Sequence, residues 1–369
     1  MKIGIDISQV VYKGTGVASY TENLVKAMLR QKGHEFVLFG TSFGRQKELW
    51  SFIHSLPTDS SFRAKTFSLP ISFISFLWNQ LHIGRIERLT GNLDIFHTSD
   101  WTEPPSKIPK VTTIHDLMIY KFPEHLPEEI IETQRRKLAW VSRESKLIIA
   151  DSKSTKSDIV RFLNIPAEKI HVIYLGVDDA YFPQSRDRVT TVLHKYRIRQ
   201  PYFLCVGTRE PRKNLQRVLT AFSSFKQANR TLVIAGNFGW GEDVAIIPGV
   251  KILGFVPKKD LPALYTGATA FVYPSLYEGF GLPVLESLSC GTPVVTSKRG
   301  SLGEIAEGVA IEVNPESSAD IRRGLESIIL LTPAKRKALV QKGLQHTAQF
   351  TWENTARNTI EVYKKIVSL

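Results

Sequence analysis

The strongest constraint on this chain is a rhythm. Short runs of Val, Ile, Leu and Phe alternate with longer helix-patterned stretches, and they do so in two series. The first series contains "MKIGIDI", "HEFVLFG", "DIFHTS", "KVTTIHD", "SKLIIADS" and "HVIYLG". The second contains "PYFLCVG", "TLVIAGN", "VKILGFV", "ATAFVYPS" and "TPVVTS". Several of these are near-continuous apolar runs rather than strict alternations. That pattern suits strands buried on both faces, as in parallel sheets covered by helices. The expected fold class is therefore α/β, with two Rossmann-like parallel-sheet domains in succession. The 369 residues also exceed what one core commonly holds, about 250–300. The polar stretch "DDAYFPQSRDRVTT", residues 178–191, lacks a clear period and is the expected boundary. It separates an N-terminal domain, 1–185, from a C-terminal domain, 190–351. The last segment, "TWENTARNTIEVYKKIV", reads as a single helix over 352–369, opening at a Thr351 cap.

Composition narrows the setting. Hydrophobic residues are 43% and charged residues 22%, ordinary for a globular protein. The only cysteines, Cys205 and Cys290, have no partner at metal-ligand spacing, which predicts a reduced, cytoplasmic protein without a disulfide. The opening "MKIGIDISQV" does not read as a signal peptide, because Asp6 interrupts it before an apolar region develops. The most apolar helical candidate, "PISFISFLWNQLHI" at 70–83, is too short for a span of about 20 residues. A net charge of +13 favours anionic partners: nucleotide phosphates, acidic lipid surfaces or nucleic acid.

Four stretches carry candidate chemistry. In "PSLYEGFGLPVLESLSCGTPVVTS", 274–297, a strand runs into a glycine-flanked loop and then a helix starting near Leu282. Pro283 stands where helix starts tolerate proline. Gly279 and Gly281 let backbone approach a ligand, and the new helix end offers N–H donors and a positive dipole end to a phosphate. Glu286, inside the first turns, suits the two hydroxyls of a ribose, and Glu278 on the loop side suits a sugar beyond the diphosphate. In "CVGTREPRKNLQRVLTAF", 205–222, Arg209, Arg212 and Lys213 crowd another helix start. Cations oppose the dipole there, so a bound anion explains them. In "KGTGVASYTENL", Gly14 and Gly16 precede a helix in half of a dinucleotide fingerprint, but Ser19 replaces the third glycine and Glu35 precedes its strand. In "VTTIHDLMIY", His115 and Asp116 follow directly on a strand, where ligands of open α/β sheets sit. No Asp-x-Asp and no Gly-Lys dipeptide occur, so phosphate charge falls to Arg, Lys and helix ends, and no metal site is expected.

Together, "TGVASYTENL", "TIHDLMIYKFPEHLP", "ADSKSTKSDI", "EKIHVIYLGVD", "VGTREPRKNLQRVLTAF", "LGFVPKKDLPALYTGA", "PSLYEGFGLPVLESLSCGTPVVTS" and "FTWENTARNTIEVY" resemble the GT-B retaining glycosyltransferases of family 4, the glycosyl transferases group 1. They look most like the mannosyltransferase-like branch of bacterial surface-polysaccharide assembly. The resemblance runs in family order over nearly the whole chain. It implies two Rossmann-like domains facing a cleft, an N-terminal acceptor domain and a C-terminal donor domain, with the last helix crossing back to the first. It further implies a nucleotide-sugar donor, with GDP-mannose the first candidate, and a glycan or lipid-linked acceptor. No cofactor or metal is implied. By the same resemblance Glu286 binds the donor ribose, and Glu278 the donor sugar. The backbone of Gly279, Phe280, Gly281 and Leu282 meets sugar and phosphate, and Arg212 and Lys213 neutralise the diphosphate. Gly16 approaches the diphosphate, His115 holds a sugar hydroxyl, and residues around Val256 flank the base. Many relatives carry Arg directly after the glycine of "VG"; here Thr208 stands there, so the phosphate role falls on Arg212 and Lys213. The implied reaction is same-face attack, with the departing phosphate taking the acceptor's proton.

Two other functions fit parts of the chain. One is a sugar-nucleotide epimerase of the same architecture. The other is a basic nucleic-acid-binding protein, against which stand dispersed basic residues and the lack of an aromatic RNA motif. The segment 62–89, "FRAKTFSLPISFISFLWNQLHIGRIERL", mixes Phe, Trp and Leu with Arg63, Lys65, Arg85 and Arg88. It reads either as a helix packed on the sheet with a basic edge, or as peripheral contact with the anionic inner face of a plasma membrane.

Overall fold

The computed structural model describes residues 1–57, 61–225, 230–241 and 247–368. The chain divides into two compact units. One comprises Met1–Gly176 with the C-terminal segment from Trp352, the other Val177–Thr351. The polar stretch 178–191 thus lies inside the second unit, and its Ser185 caps the helix Arg186–Lys195 by accepting from the Arg188 amide.

The first unit contains β1 (Lys2–Asp6), β2 (Glu35–Thr41), β3 (Phe62–Phe67), β4 (Ile95–His97), β5 (Lys110–Ile114), β6 (Leu147–Ala150) and β7 (Ile170–Val172). They form one sheet in the order β3-β2-β1-β4-β5-β6-β7, parallel throughout. The second unit contains β8 (Tyr202–Val206), β9 (Thr231–Ala235), β10 (Val250–Gly254), β11 (Ala270–Tyr273), β12 (Val294–Ser297) and β13 (Ile311–Val313). Their order is β10-β9-β8-β11-β12-β13, again parallel. The apolar runs become the inner strands, and every residue of β5, β6, β11 and β12 is buried.

Two strands escape the apolar signal. In β3, Arg63 and Lys65 alternate with less exposed neighbours. In β13, Glu312 interrupts three residues. Both strands are sheet edges. An edge is half solvated, and charge on it discourages pairing with other chains. The candidate helix 70–83 is broken: an α-turn at Ile71–Ser75 passes into a π-helical turn at Phe76–Gln80. Trp78 is buried there and donates through Nε1 to the Gly84 carbonyl at 2.9 Å.

In both sheets the chain reverses its direction of travel beside the first strand. β1 lies between β2 and β4, and β8 between β9 and β11. Loops leaving the carboxyl ends of β1 and β4, or of β8 and β11, diverge and open a crevice where such folds bind ligands. The last helix begins at Trp352, directly after Thr351, and runs to Ser368; Leu369 lies outside the described residues. It belongs to the first unit, where Tyr363 meets the His97 ring at 2.5 Å and Glu353 pairs with Arg30 at 2.9 Å.

Candidate active site

In the second unit the loop after β8 and the loop after β11 converge on one cluster. Arg212 and Lys213 close the short turn Pro211–Lys213, and Glu278 follows β11. Lys213 Nζ lies 2.7 Å from Glu278 Oε1, and Arg212 Nη1 pairs with Glu278 Oε2. Arg212 Nε meets Glu210 Oε1 at 2.6 Å, and Lys213 also donates to the Tyr273 hydroxyl. The backbones lock together too: the Leu276 amide donates to Arg212 O at 2.9 Å, and the Asn214 side chain donates to Pro274 O at 2.9 Å. Ser301 Oγ donates to the Glu278 carbonyl at 2.8 Å, fixing that loop from the start of the helix Ser301–Ala306.

The electrostatics of this cluster are balanced: two cations face two carboxylates. Burial pushes the Glu278 carboxyl up, but Arg212 and Lys213 overcome it and hold it at about 2. Burial and then Arg212 push the Lys213 ammonium down, against Glu278 and Glu210. The cluster therefore offers an anion aimed donors rather than net charge. Both Glu278 oxygens already face cations, which lowers the carboxylate's nucleophilicity and leaves it suited to accepting hydrogen bonds.

The helix Leu282–Ser289 starts from Gly281, whose φ is +111°. That backbone conformation favours glycine, and a Cβ there would also press on the side-chain ends of Leu302 at 2.6 Å and Ile305 at 2.8 Å. Gly236 answers a similar demand, because its Cβ would fall 1.8 Å from the Gly207 carbonyl. The Phe280 side chain is core, edge-on to Phe350 at 6.2 Å, so only its backbone is available to a ligand.

Glu286 has its own partners. It accepts from the Tyr265 hydroxyl at 3.1 Å and interacts with Tyr181. Burial pushes its carboxyl up to about 7, against the two tyrosines and Lys258. Val256, expected beside a base, is buried at 6% exposure; its neighbour Phe255 is the exposed side chain, at 52%. Arg209 turns to the next loop, its guanidinium 5.8 Å from the Phe238 ring centre and its amide donating to Asn237 O at 2.8 Å.

In the first unit, His115 follows β5 and Asp151 follows β6, so neighbouring strand ends bring them together. His115 Nδ1 lies 2.6 Å from Asp151 Oδ2. Burial alone would push the imidazole down, but Asp151, with Asp100 and Asp116, holds it at about 9. Tyr20 stands edge-on to the ring at 4.5 Å and reaches Thr113 Oγ1 at 2.8 Å. With Nδ1 committed to Asp151, Nε2 is the nitrogen that can face a ligand. Gly16 opens the helix Gly16–Leu29, and a Cβ there would meet nothing within 4 Å, so the fold itself does not require glycine at that position.

Sequence reasoning singled out Arg212, Lys213, Glu278, Glu286 and His115, of which the structure brings Arg212, Lys213 and Glu278 into contact, and it did not name the groups that hold them: Glu210, Tyr273, Tyr181, Tyr265 and Asp151. Only Asp151 carried a signal, since "IIADS" ends a strand as "TTIHD" does.

Two doubly wound parallel sheets in succession are the GT-B architecture. The fold matches the solved sucrose-phosphate synthase of Thermosynechococcus elongatus at a TM-score of 0.75 and 18% identity, over 100% of this chain and 99% of that one. The glycosyl transferases group 1 model matches residues 194–346, and the glycosyltransferase family 4 model matches residues 14–181. The O-antigen chain mannosyltransferase B of Escherichia coli is 33% identical over 99% of this chain and 100% of its own length. The serotype-specific mannosyltransferase WbdA of Escherichia coli is 30% identical over 64% of this chain, which spans 31% of that larger protein. The chain belongs to the family 4 glycosyltransferases, the glycosyl transferases group 1, and is a glycosyltransferase.

Proposed function

We propose that this glycosyltransferase moves mannose from GDP-mannose, with retention of configuration and without a metal ion, onto a lipid-linked mannose-containing glycan of O-antigen type. The observation that carries this reading is the cluster at the β8–β11 switch point. Arg212 and Lys213 are set in place by Glu210 and Glu278, and Glu286 stands in the helix that follows. The names of the two mannosyltransferases similar to this chain support mannose and O-antigen.

In the proposed reaction an acceptor hydroxyl oxygen forms the new bond to the anomeric carbon as the bond to the β-phosphate oxygen breaks. The hydroxyl proton passes to the departing GDP. Arg212 and Lys213 stabilise the charge that develops on the leaving phosphate. Glu278 accepts a hydrogen bond from the donor sugar, and His115 donates Nε2–H to a sugar hydroxyl. The loop backbone from Gly279 to Gly281 and the helix start at Leu282 approach sugar and phosphate, and Gly16 gives a close backbone approach. Glu286 accepts from the ribose hydroxyls, and the Phe255–Val256 corner flanks the base.

A thermal-shift series with GDP, UDP, dTDP, ADP and their sugars tests the donor, because ligand bound to the native state raises the midpoint by mass action. GDP and GDP-mannose should give the largest rise. Proton NMR of the product from a mannose-capped acceptor should show the donor's anomeric configuration, and EDTA should leave turnover unchanged. An inverted product, or loss of turnover in EDTA, overturns the mechanism; interconversion of the nucleotide-sugar without acceptor favours an epimerase.

Glu286 makes a pH prediction. Its folded carboxyl is raised to about 7 by burial, and ribose hydroxyls bind its ionised form best. GDP affinity should therefore increase from pH 6 to pH 8, with uptake of GDP releasing a proton near pH 6.5. Glu286→Gln should bind GDP more weakly and lose that dependence. Calorimetry in buffers of different ionisation heat reads both effects; a wild-type affinity flat across this range removes the assignment.

Peripheral membrane contact belongs to the same proposal. Phe73, Phe76, Leu81 and Ile83 are 46%, 46%, 48% and 52% exposed along the broken helical segment, and Arg85 and Arg88 follow, also exposed. An apolar face with flanking cations suits an anionic bilayer surface. Among the described residues no helix is long and apolar enough to cross a membrane. The protein should float with vesicles containing 30–40 mol% anionic lipid at low salt. Phe73→Ser with Phe76→Ser should abolish flotation, and a double variant that floats like wild type ends the idea.

A further inference from the structure

A string of buried hydrogen bonds runs through the first unit from the last helix toward the His115 ring. Tyr363, on the helix Trp352–Ser368, meets His97 Nδ1 at 2.5 Å. His97 Nε2 stands 3.0 Å from Thr113 Oγ1, which stands 2.8 Å from the Tyr20 hydroxyl. Tyr20, on the helix Gly16–Leu29, packs edge-on against His115 at 4.5 Å. Trp352, where the last helix begins, is also edge-on to Tyr20, at 6.1 Å. The string thus joins two helices through β4 and β5, and none of its four members is more than 6% exposed.

Burial pushes the His97 imidazole down to about 3, so the ring is neutral and carries a single N–H. One proton order then satisfies the whole string. Tyr20 donates to Thr113, Thr113 donates to His97 Nε2, and His97 Nδ1–H donates to the Tyr363 oxygen. The Tyr363 hydrogen is left facing Met28 Sδ at 4.0 Å, a weak acceptor. A buried donor or acceptor left unmet costs free energy, so each member holds the next in one position.

His115 is tied to Asp151 through Nδ1 at 2.6 Å. That bond fixes one point of the ring, and a packed neighbour is needed to fix its plane. Tyr20 supplies the second contact. We infer that Tyr20 is a positioning residue for sugar transfer: it sets the plane of the His115 ring, and so the direction of Nε2, while the last helix sets Tyr20 through His97 and Thr113. Tyr20 acts through His115. Its effect on turnover rests on the proposed role of His115; its effect on the ring does not.

The test uses the full chain with nitrogen-15 in its histidines. The Nδ1-bound proton of His115 should give a sharp NMR signal in the wild type and a broadened or lost one in Tyr20→Leu. The same variant should lower kcat by about tenfold or more, the cost of a misplaced group, while GDP affinity stays as in the wild type. Tyr20→Phe keeps the ring and cuts the string. It and Tyr363→Phe should each lower kcat by a smaller factor, and together by no more than the larger single effect, because both break the same connection. A purely structural loss would leave the His115 signal of the folded protein sharp and the two effects additive. The Tyr20→Phe and Tyr363→Phe pair supplies the answer if Tyr20→Leu fails to fold. An unchanged His115 signal in the folded Tyr20 variants, or additive effects of the pair, overturns the inference. Wild-type turnover in His115→Ala instead overturns the proposed role of His115, and the NMR signal in the Tyr20 variants then still decides the positioning.

Discussion

Replacing Arg212 and Lys213 together by alanine lowers the rate of sugar transfer by about 10²-fold or more, the scale of losing aimed charge stabilisation in a transition state. The same change leaves Glu210 and Glu278 buried without their cations. Removing one side of a buried pair costs about 3–5 kcal/mol, so the double variant should also melt early. A companion separates the two effects. Glu278→Gln leaves the cluster with one excess positive charge. It should bind GDP more tightly than wild type yet transfer sugar more slowly, because the attraction for phosphate rises while the acceptor of the sugar's hydrogen bond weakens. Stopped-flow or quenched-flow rates beside GDP calorimetry would show the split. Wild-type turnover in the folded double variant, or GDP affinity in Glu278→Gln that does not rise, would remove the phosphate assignment.

The second large effect concerns the His115–Asp151 pair. Asp151→Asn removes the charge that lifts the imidazole, while its burial, which pushes the other way, is unchanged. His115 then loses its proton in the neutral range, and transfer at pH 8 should fall by about 10²-fold, as for loss of one preorganised donor. In wild type the alkaline limb of kcat/KM should lie near pH 9; in Asp151→Asn it should move below pH 8. The stability effect has a definite sign. A folded pKa of about 9 against an ordinary 6.5 gives stabilisation that is complete below about pH 6.5 and is lost as pH rises through about 9. The wild-type melting temperature should therefore fall toward pH 9 more steeply than that of Asp151→Asn. Coincident alkaline limbs in the two proteins would refute the role of His115.

Much of the fold was legible because parallel strands buried on both faces are mostly apolar. β6, Leu-Ile-Ile-Ala, and β11, Ala-Phe-Val-Tyr, announce themselves as near-continuous apolar runs for that reason, while β5 and β12 mix Val and Ile with buried Thr. β3 and β13 were silent because an edge strand meets water on one side, which permits Arg63, Lys65 and Glu312. The break at Phe76–Gln80 was also silent. No Pro or Gly lies in that run; tertiary packing of Trp78 accompanies the widened turn.

At the candidate site, residue type and position alone picked out Glu278, Glu286, Arg212, Lys213 and His115. A carboxylate or cation just past a buried strand, beside glycine and a helix start, has few structural reasons to be there. What the sequence by itself determined was this pairing of strand ends with polar residues, since it is written in local order and period. Only the tertiary structure decided which charges neutralise which, that Glu286 lies against two tyrosines, that Asp151 governs His115, and that a buried string ties Tyr20 to the last helix. Those partners come from different loops, 36 residues apart for His115 and Asp151 and 65 for Lys213 and Glu278. Burial, which sets the strength of every charge, exists only once the sheets have closed over them.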